Sequence, residues 1–234
     1  MTCAILFARN PLPGRVKTRL QTHLSPEQAA TLYTAFLRDS TALLCGCKAS
    51  QKIVASADTE GLQGLRSLLD PTGDTRLQFT VQKGADLGRR MEHALRVAFT
   101  GGAQRAVILG TDAPSLPAAT LDDALEKLKG ADVVLGPVVD GGYYLVGVTA
   151  EAFAEASEGL FHGIEWSTGG VLEQTVAALA PAIKMALLPP WYDIDHPQEA
   201  AFLRIHLEAM ARTGDQSGRH SLLALKGLTL PPPS

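Results

Sequence analysis

Short strand-like runs separated by helix-patterned segments constrain this chain more than any other feature. The first run, Cys3–Ala8 (CAILFA), is apolar at every position, which suits a strand covered on both faces. Further strands are expected at Lys52–Ala57, Leu77–Gln82, Arg105–Gly110, Asp132–Gly136, Tyr143–Val148 and Ile183–Leu188. Between them lie helices. Ser25-Pro26-Glu27-Gln28 carries the serine cap, first-turn proline and returning glutamine of a capping box. Ala29, Leu32, Tyr33, Phe36, Leu37, Leu43 and Leu44 then follow at helical spacing. Asp58 and Asp86 open the next two helices, the second of which ends at Gly101-Gly102. Later helices are expected over Leu121–Lys129, Ser167–Ala180 and Pro197–Arg212, and a turn at Pro71–Asp74. This alternation implies an α/β three-layer sandwich with a mixed, mostly parallel sheet. The link between the fifth and sixth strands is too short for a crossover helix, so those two should not be parallel neighbours. Residues 1–212 read as one domain and 213–234 as a tail whose order the pattern leaves open; Leu222, Leu223 and Leu225 would pack on the body or on a second subunit.

The first strand breaks into Ala8-Arg9-Asn10-Pro11-Leu12-Pro13-Gly14-Arg15-Val16-Lys17-Thr18-Arg19. Open α/β sheets bind ligands beyond the carboxyl ends of their strands, and guanidinium and ammonium groups gathered there suit a polyphosphate. The competing reading is a solvated basic loop. A Walker loop is excluded because Val16 precedes Lys17, and the dinucleotide fingerprint is absent too.

Three later segments carry carboxylates. Asp112 follows the fourth strand, where it either caps a turn before Pro114 or faces the basic loop and shares a divalent cation with phosphate oxygens. Asp140-Gly141-Gly142-Tyr143-Tyr144 reads as an ordinary hairpin turn, or as close-approaching backbone with an aromatic wall for an acceptor. Asp193 and Asp195 point the same way if their segment is extended, so one can reach the metal while the other caps the last helix. Trp166-Ser167-Thr168 combines a helix cap with an anion contact. His162 lies between candidate segments, whereas the other histidines have no partner in a recognisable constellation, and neither G-x-S-x-G nor H-E-x-x-H occurs.

Composition narrows the classes. A formal net charge of -3 over 234 residues argues against a nucleic-acid or membrane-surface binder. No run approaches the ~20 apolar residues of a membrane span, and no secretory pattern opens the chain, so a cytoplasmic protein is expected. Cys3, Cys45 and Cys47 give neither a disulfide framework nor a zinc site.

Taken in order, PLPGRVKTRL, VQKGADLGRRMEHAL, GTDAPSLP, GPVVDGGYYLVGV, LFHGIEWST and DIDHPQEA resemble the bacterial GT-A-type transferases associated with radical-SAM/selenoprotein domains (glycosyltransferase A-like). They are more distantly similar to 2-phospholactate guanylyltransferase. The resemblance implies a nucleotide-diphospho-sugar transferase fold with a seven-stranded sheet. It implies that Ala8, Arg9, Gly14, Arg15, Lys17 and Arg19 wrap nucleotide phosphates, and that Gln82, Gly84, Asp86, Leu87 and Gly88 read the base. It places metal carboxylates at Asp112 and Asp195, and an acceptor side at Asp140, Gly141, Gly142 and Tyr143, to which Trp166 is added. Two departures matter: the nucleotidyltransferase glycine signature is replaced by the proline-rich loop, and Pro114 stands where an Asp-x-Asp would have its second aspartate.

The expectation is a transferase using magnesium or manganese, with a nucleotide or nucleotide-sugar donor and a small-molecule acceptor. Lys17, Arg19 and Asp112 would be its catalytic groups, the two cations offsetting charge on the departing phosphates. Nucleotidyl and glycosyl transfer both fit, and a non-catalytic nucleotide-sensing or interaction domain is the alternative. Base, acceptor and oligomeric state stay open.

Overall fold

The computed structural model describes residues 1–73 and 76–233. Its centre is a seven-stranded sheet built from β1 (Thr2–Ala8), β2 (Gln51–Ser56), β3 (Gln78–Val81), β4 (Arg105–Leu109), β5 (Val133–Pro137), β6 (Tyr143–Thr149) and β7 (Met185–Leu187). The strand order is β3-β2-β1-β4-β6-β5-β7. Only β6 runs against its neighbours β4 and β5; the remaining pairings are parallel. The two-way growth of the sheet from β1 and β4 puts its topological switch point between them, which is where such sheets open a crevice.

Alternation along each strand divides the core. Ala4, Leu6 and Ala8 of β1 face one cluster, with Val107 and Leu109 of β4. That cluster includes residues of α1 (Pro26–Gly46), α4 (Thr120–Lys127), α7 (Pro197–Arg212) and α8 (Arg219–Lys226). Cys3, Ile5, Ala106 and Ile108 face the other, with α3 (Leu87–Thr100) and α5 (Phe153–Phe161). Two more α-helices, α2 (Thr59–Leu69) and α6 (Val171–Ala178), and a short 3-10 helix over Thr18–Thr22 complete the described elements. Every inward side chain of β1 is thus buried on one face or the other, the condition that its uniformly apolar sequence met in advance.

The elements follow the sequence reading closely up to β6. Ser25 and Gln28 form the expected capping box, and Asp58 and Asp86 cap α2 and α3 through the amides of Gly61 and Arg89. The turn over Pro71–Gly73 is present, and Asp74 lies outside the described residues. Two helices escaped the reading, α5 and α8. The expected helix start at Ser167 is corrected: Ser167 has φ +66°, and α6 begins only at Val171, after Gly169-Gly170. A left-handed residue interrupts a helix, so the serine cannot be its cap.

Within the tail, α8 docks on α1 and α7, burying Leu225 while Leu223 stays exposed. The tie is polar as well. Buried Asp39 on α1 accepts from the amides of His220 (3.0 Å) and Ser221 (2.8 Å) and from the Ser221 hydroxyl (2.5 Å), so one helix caps the start of another. No helix among the described residues is long and apolar enough to cross a membrane. Asp39→Ala should leave those amides without acceptors and cost about 1–3 kcal/mol in a urea denaturation, with α8 becoming exchange-labile before the sheet.

Candidate functional site

The loop after β1 is held from three sides. Val16 and Leu20 are buried, and the loop turns on itself through Arg15 N–H to Leu12 O (3.0 Å). Asn10 packs against α2 where Gly61 and Gly64 leave room; a Cβ at either glycine would strike its side chain. The Arg9 amide donates to Tyr33 Oη (3.2 Å), which in turn bonds Thr111 Oγ1 (3.0 Å). Tyr33 therefore ties the basic loop to the residue beside Asp112.

Lys17 sits at the middle of the arrangement, its side chain only 5% exposed. Its ammonium contacts Asp112 Oδ1 at 2.6 Å, Asp195 Oδ1 at 3.0 Å and the carbonyl of Ile194 at 2.6 Å, so its three hydrogens each have an acceptor. Burial alone works against its charge, but the two carboxylates outweigh that and hold its pKa above the ordinary lysine value. Arg19 adds a second contact to Asp195 (2.9 Å). Burial opposes ionisation of Asp195 too, yet Lys17 and Arg19 keep its carboxyl below the usual range. The basic loop and Asp112 thus face each other across one crevice.

Asp112 and the segment before α7 are also joined by backbone, since Ile194 N–H donates to Asp112 O (2.9 Å). Ser115 Oγ, linked to Tyr192 Oη (3.0 Å) and Trp191 Nε1 (3.1 Å), braces the same two segments. Neither aspartate there serves as a helix cap. Glu199 does that work by accepting from the amides of Asp195 (2.6 Å) and His196 (2.7 Å), leaving both carboxylates to the crevice.

The crevice encloses about 910 Å³. Of the residues singled out in the sequence, Ala8, Arg9, Arg15, Lys17, Arg19, Gln82, Asp86, Leu87, Asp112, Asp140, Gly142, Tyr143, Trp166 and Asp195 line it. The other glycines shape its walls instead. Gly14 turns the loop with φ +77°, and Gly84 accepts from Arg90 Nε (3.2 Å). Gly88 lets Trp166 close over α3, and Gly141 (φ +93°) lies so near the Gly169 carbonyl that a Cβ would overlap it. Gln82 gives its side-chain amide to Ala55 O (2.9 Å), and Asp140 Oδ1 accepts from Gly142 N–H (2.9 Å). His162 does not line the crevice; it bonds Glu92 and Glu158 and fastens the end of α5 to α3.

Sequence reasoning missed Tyr33, Arg90 and Thr111. Tyr33 hid within a helical apolar stripe, and Arg90 within a charged first turn. Asp193 was seen but not chosen. It lines the crevice, and burial first, then the charges of Asp140, Asp195 and Asp112, raise its pKa to about 7 against the partial relief of Lys17.

Oxygen donors converge here without a finished metal cage: among the described residues no three His, Cys, Asp or Glu groups are grouped to hold a metal ion. What is present is a pair of carboxylates converging on one cationic centre, the Lys17 ammonium.

With the geometry in place, three comparisons are informative. Residues 46–168 match the family described as "Uncharacterized protein conserved in bacteria (DUF2064)". No curated protein matches the chain. Among solved structures, a Desulfovibrio desulfuricans G20 protein provisionally described as a nucleotide-diphospho-sugar transferase is 30% identical, with 97% of each chain covered and a TM-score of 0.82. The 4-diphosphocytidyl-2C-methyl-D-erythritol synthase of Anaerococcus prevotii DSM 20548 is 9% identical over 89% of this chain and 96% of its own, with a TM-score of 0.59. A CMP:2-keto-3-deoxy-manno-octonic acid synthetase in complex with CTP is 11% identical over 91% of this chain and 99% of its own, with a TM-score of 0.54. The last two share the fold, a mixed and mostly parallel seven-stranded α/β sheet here.

Asp193 makes a pH-dependent contribution. The folded chain keeps its proton up to about pH 7, whereas an unfolded chain releases it near 3.8, so stability from this group is full below 3.8 and lost by the time pH passes 7. Asp193→Asn should therefore stabilise the protein at pH 8 by on the order of 1–2 kcal/mol, allowing for partial solvent access, and change little below pH 4. Urea denaturation at both pH values reads the difference; equal shifts at the two would exclude this assignment.

Proposed function

The chain belongs to the bacterial DUF2064 family, and we propose that it is a metal-dependent transferase that takes a nucleoside triphosphate or nucleotide-sugar and passes a nucleotidyl or glycosyl group to a small acceptor. One observation carries this reading: the cationic loop after β1 and the carboxylate after β4 meet across the switch point of the sheet, with Lys17 Nζ 2.6 Å from Asp112 Oδ1. The provisional description of the Desulfovibrio protein as a nucleotide-diphospho-sugar transferase supports it, as does the CTP held by the synthetase of like fold.

In this reading Arg9 and Arg15, which have no carboxylate partner among the described residues, bind phosphate oxygens. Asp112 and Asp195 suit magnesium or manganese, which is commonly held by one or two carboxylates and completed by substrate phosphates. Bound there, the ion would supply charge neutralisation at the phosphates. Lys17 keeps the two carboxylates facing one another and, by releasing one of them, can turn its ammonium onto a phosphate. An acceptor oxygen forms the new bond to the transferred phosphorus or anomeric carbon while that atom's bond to the leaving phosphate oxygen breaks; the electron pair leaves on that oxygen, Arg19 offsets the charge, and the proton of a hydroxyl acceptor passes to solvent. Trp166, Tyr143 and the Asp140-Gly141-Gly142 turn form the acceptor wall.

Melting curves across nucleoside triphosphates and nucleotide-sugars, with and without magnesium or manganese, test the reading. A matching nucleotide should raise the melting temperature by a few degrees, ~3 °C or more, only with the metal. Asp112→Asn should abolish the metal dependence and lower turnover by about 10²-fold or more. Because buried Lys17 then loses one of its two carboxylates, the unliganded melt also falls, and ligand shifts are read against the variant's own baseline. Stabilisation indifferent to metal and to Asp112→Asn would instead identify a nucleotide-binding domain without catalysis.

A further inference from the structure

We propose that Lys17 is a tethered competitor for the divalent ion. Its ammonium holds the carboxylates that the ion needs, and it lets them go when an anionic ligand draws it aside. That anion is the donor nucleotide of the transferase reading above, on which this step rests. Metal therefore binds with the donor or after it, not ahead of it.

Three oxygens meet at Lys17 Nζ: Asp112 Oδ1 and the Ile194 carbonyl at 2.6 Å each, and Asp195 Oδ1 at 3.0 Å. Carboxylate and carbonyl oxygens are the hard donors that magnesium and manganese prefer. Magnesium asks for its oxygens at about 2.0–2.1 Å in an octahedral shell, so it cannot share them with an ammonium seated among them. The other oxygen of Asp195 is engaged as well, accepting from Arg19 Nη1 at 2.9 Å. The donor set suits the ion, and a cation of the chain itself sits where those donors converge.

The lysine is placed to leave. Its backbone is left-handed, φ +47° and ψ +45°, a conformation that residues with a Cβ rarely adopt. Such strain persists only where surrounding contacts impose it, and the ion pairs of the ammonium are among those contacts. The ring of buried Phe36 lies 5.7 Å from Nζ, so the way out runs toward the crevice and not into the core. Arg9 and Arg15, from the same loop, line that crevice and make no ion pair among the described residues. Phosphates drawn to those guanidiniums arrive beside the ammonium, which forms charge-assisted bonds to phosphate as it does to carboxylate. Once it turns, Asp112 and Asp195 face one another with Arg19 as their remaining cation, and a divalent ion relieves the repulsion. The coupling is reciprocal: the donor raises affinity for the metal by the factor with which the metal raises affinity for the donor.

Electron paramagnetic resonance of manganese, which reports the free ion, tests this without turnover. The unaltered protein without nucleotide should bind Mn²⁺ only weakly, with a Kd of ~1 mM or above. Lys17→Met, which keeps the apolar stem and removes the charge, should bind it at least about tenfold more tightly. Lys17→Gln, whose amide still donates to the carboxylates, should shift the same way and serves where the methionine variant does not fold. Adding Asp112→Asn to either should erase the gain, which assigns the ion to that carboxylate. Manganese alone should also raise the melting temperature of the Lys17 variants by ~3 °C or more while moving the unaltered protein by less than about 1 °C. A Kd of ~0.1 mM or tighter for the unaltered, nucleotide-free protein would by itself overturn the proposal. So would Lys17 variants that bind manganese no better than it does. Nucleotide melting shifts of the unaltered protein keep the two readings apart. A nucleotide response with no gain in the variants removes the competitor and leaves the transferase. A gain in the variants with no nucleotide response upholds the competition and removes the transferase reading.

Discussion

A buried ammonium needs acceptors on every hydrogen, and Lys17 has found three of them on two distant parts of the chain. Its partners Asp112, Ile194 and Asp195 come from beyond β4 and from the strand-to-helix connection before α7. Isolated ionic groups of this depth are too costly to keep, so the two carboxylates and the carbonyl are held to the lysine as firmly as the lysine is held to them. The rest of the site inherits its geometry from this meeting. Val16 and Leu20 anchor the loop below it, Tyr33 fastens the loop to Thr111, and the Ile194 amide returns to Asp112. The mouth of the sheet is closed around one positive centre.

That arrangement also explains why the crevice is electrically lopsided. The parallel strands β1 to β3 deliver their loops to one flank, and the loop after β1 carries most of the cations. The antiparallel insertion of β6 between β4 and β5 brings a tight hairpin to the opposite flank instead of a helix, and with it Asp140. Because Glu199 reaches back to the amides of Asp195 and His196 just before α7, the carboxyl groups of Asp193 and Asp195 are left to that flank. One strand running the other way and one glutamate reaching back bring the crevice's Asp140, Asp193 and Asp195 opposite the basic loop.

Much of this was legible in the residues. CAILFA could only be a strand with two covered faces, and a basic turn after it in an alternating α/β pattern placed the site at the carboxyl edge of the sheet. The capped helices α1, α2 and α3 were readable because each cap is local, a side chain accepting from the amide three residues on. What escaped is what depends on distant partners. Helix α5 has no side-chain cap, and α8 receives its cap from Asp39 on another helix, which no window along the sequence contains. Ser167 was misread because the Trp-Ser-Thr run looks like a cap, whereas the Gly169-Gly170 pair and a left-handed serine delay the helix to Val171. Asp193 was hard to separate from Asp195 for a similar reason: their spacing is identical in extended chain, and only the position of Lys17 distinguishes a paired carboxylate from an unpaired one.

The span between Lys17 and Asp195 is 178 residues, so the loop after β1 waits for a partner segment made long after it. Until then the ammonium has no complete set of acceptors, and the loop that carries it has no reason to settle inward. A nascent chain can form the β1–β2 pairing and its covering helix long before it can present an assembled mouth. Synthesis of the segment before α7, rather than formation of the β1–β2 pairing, is then the event that sets the cleft.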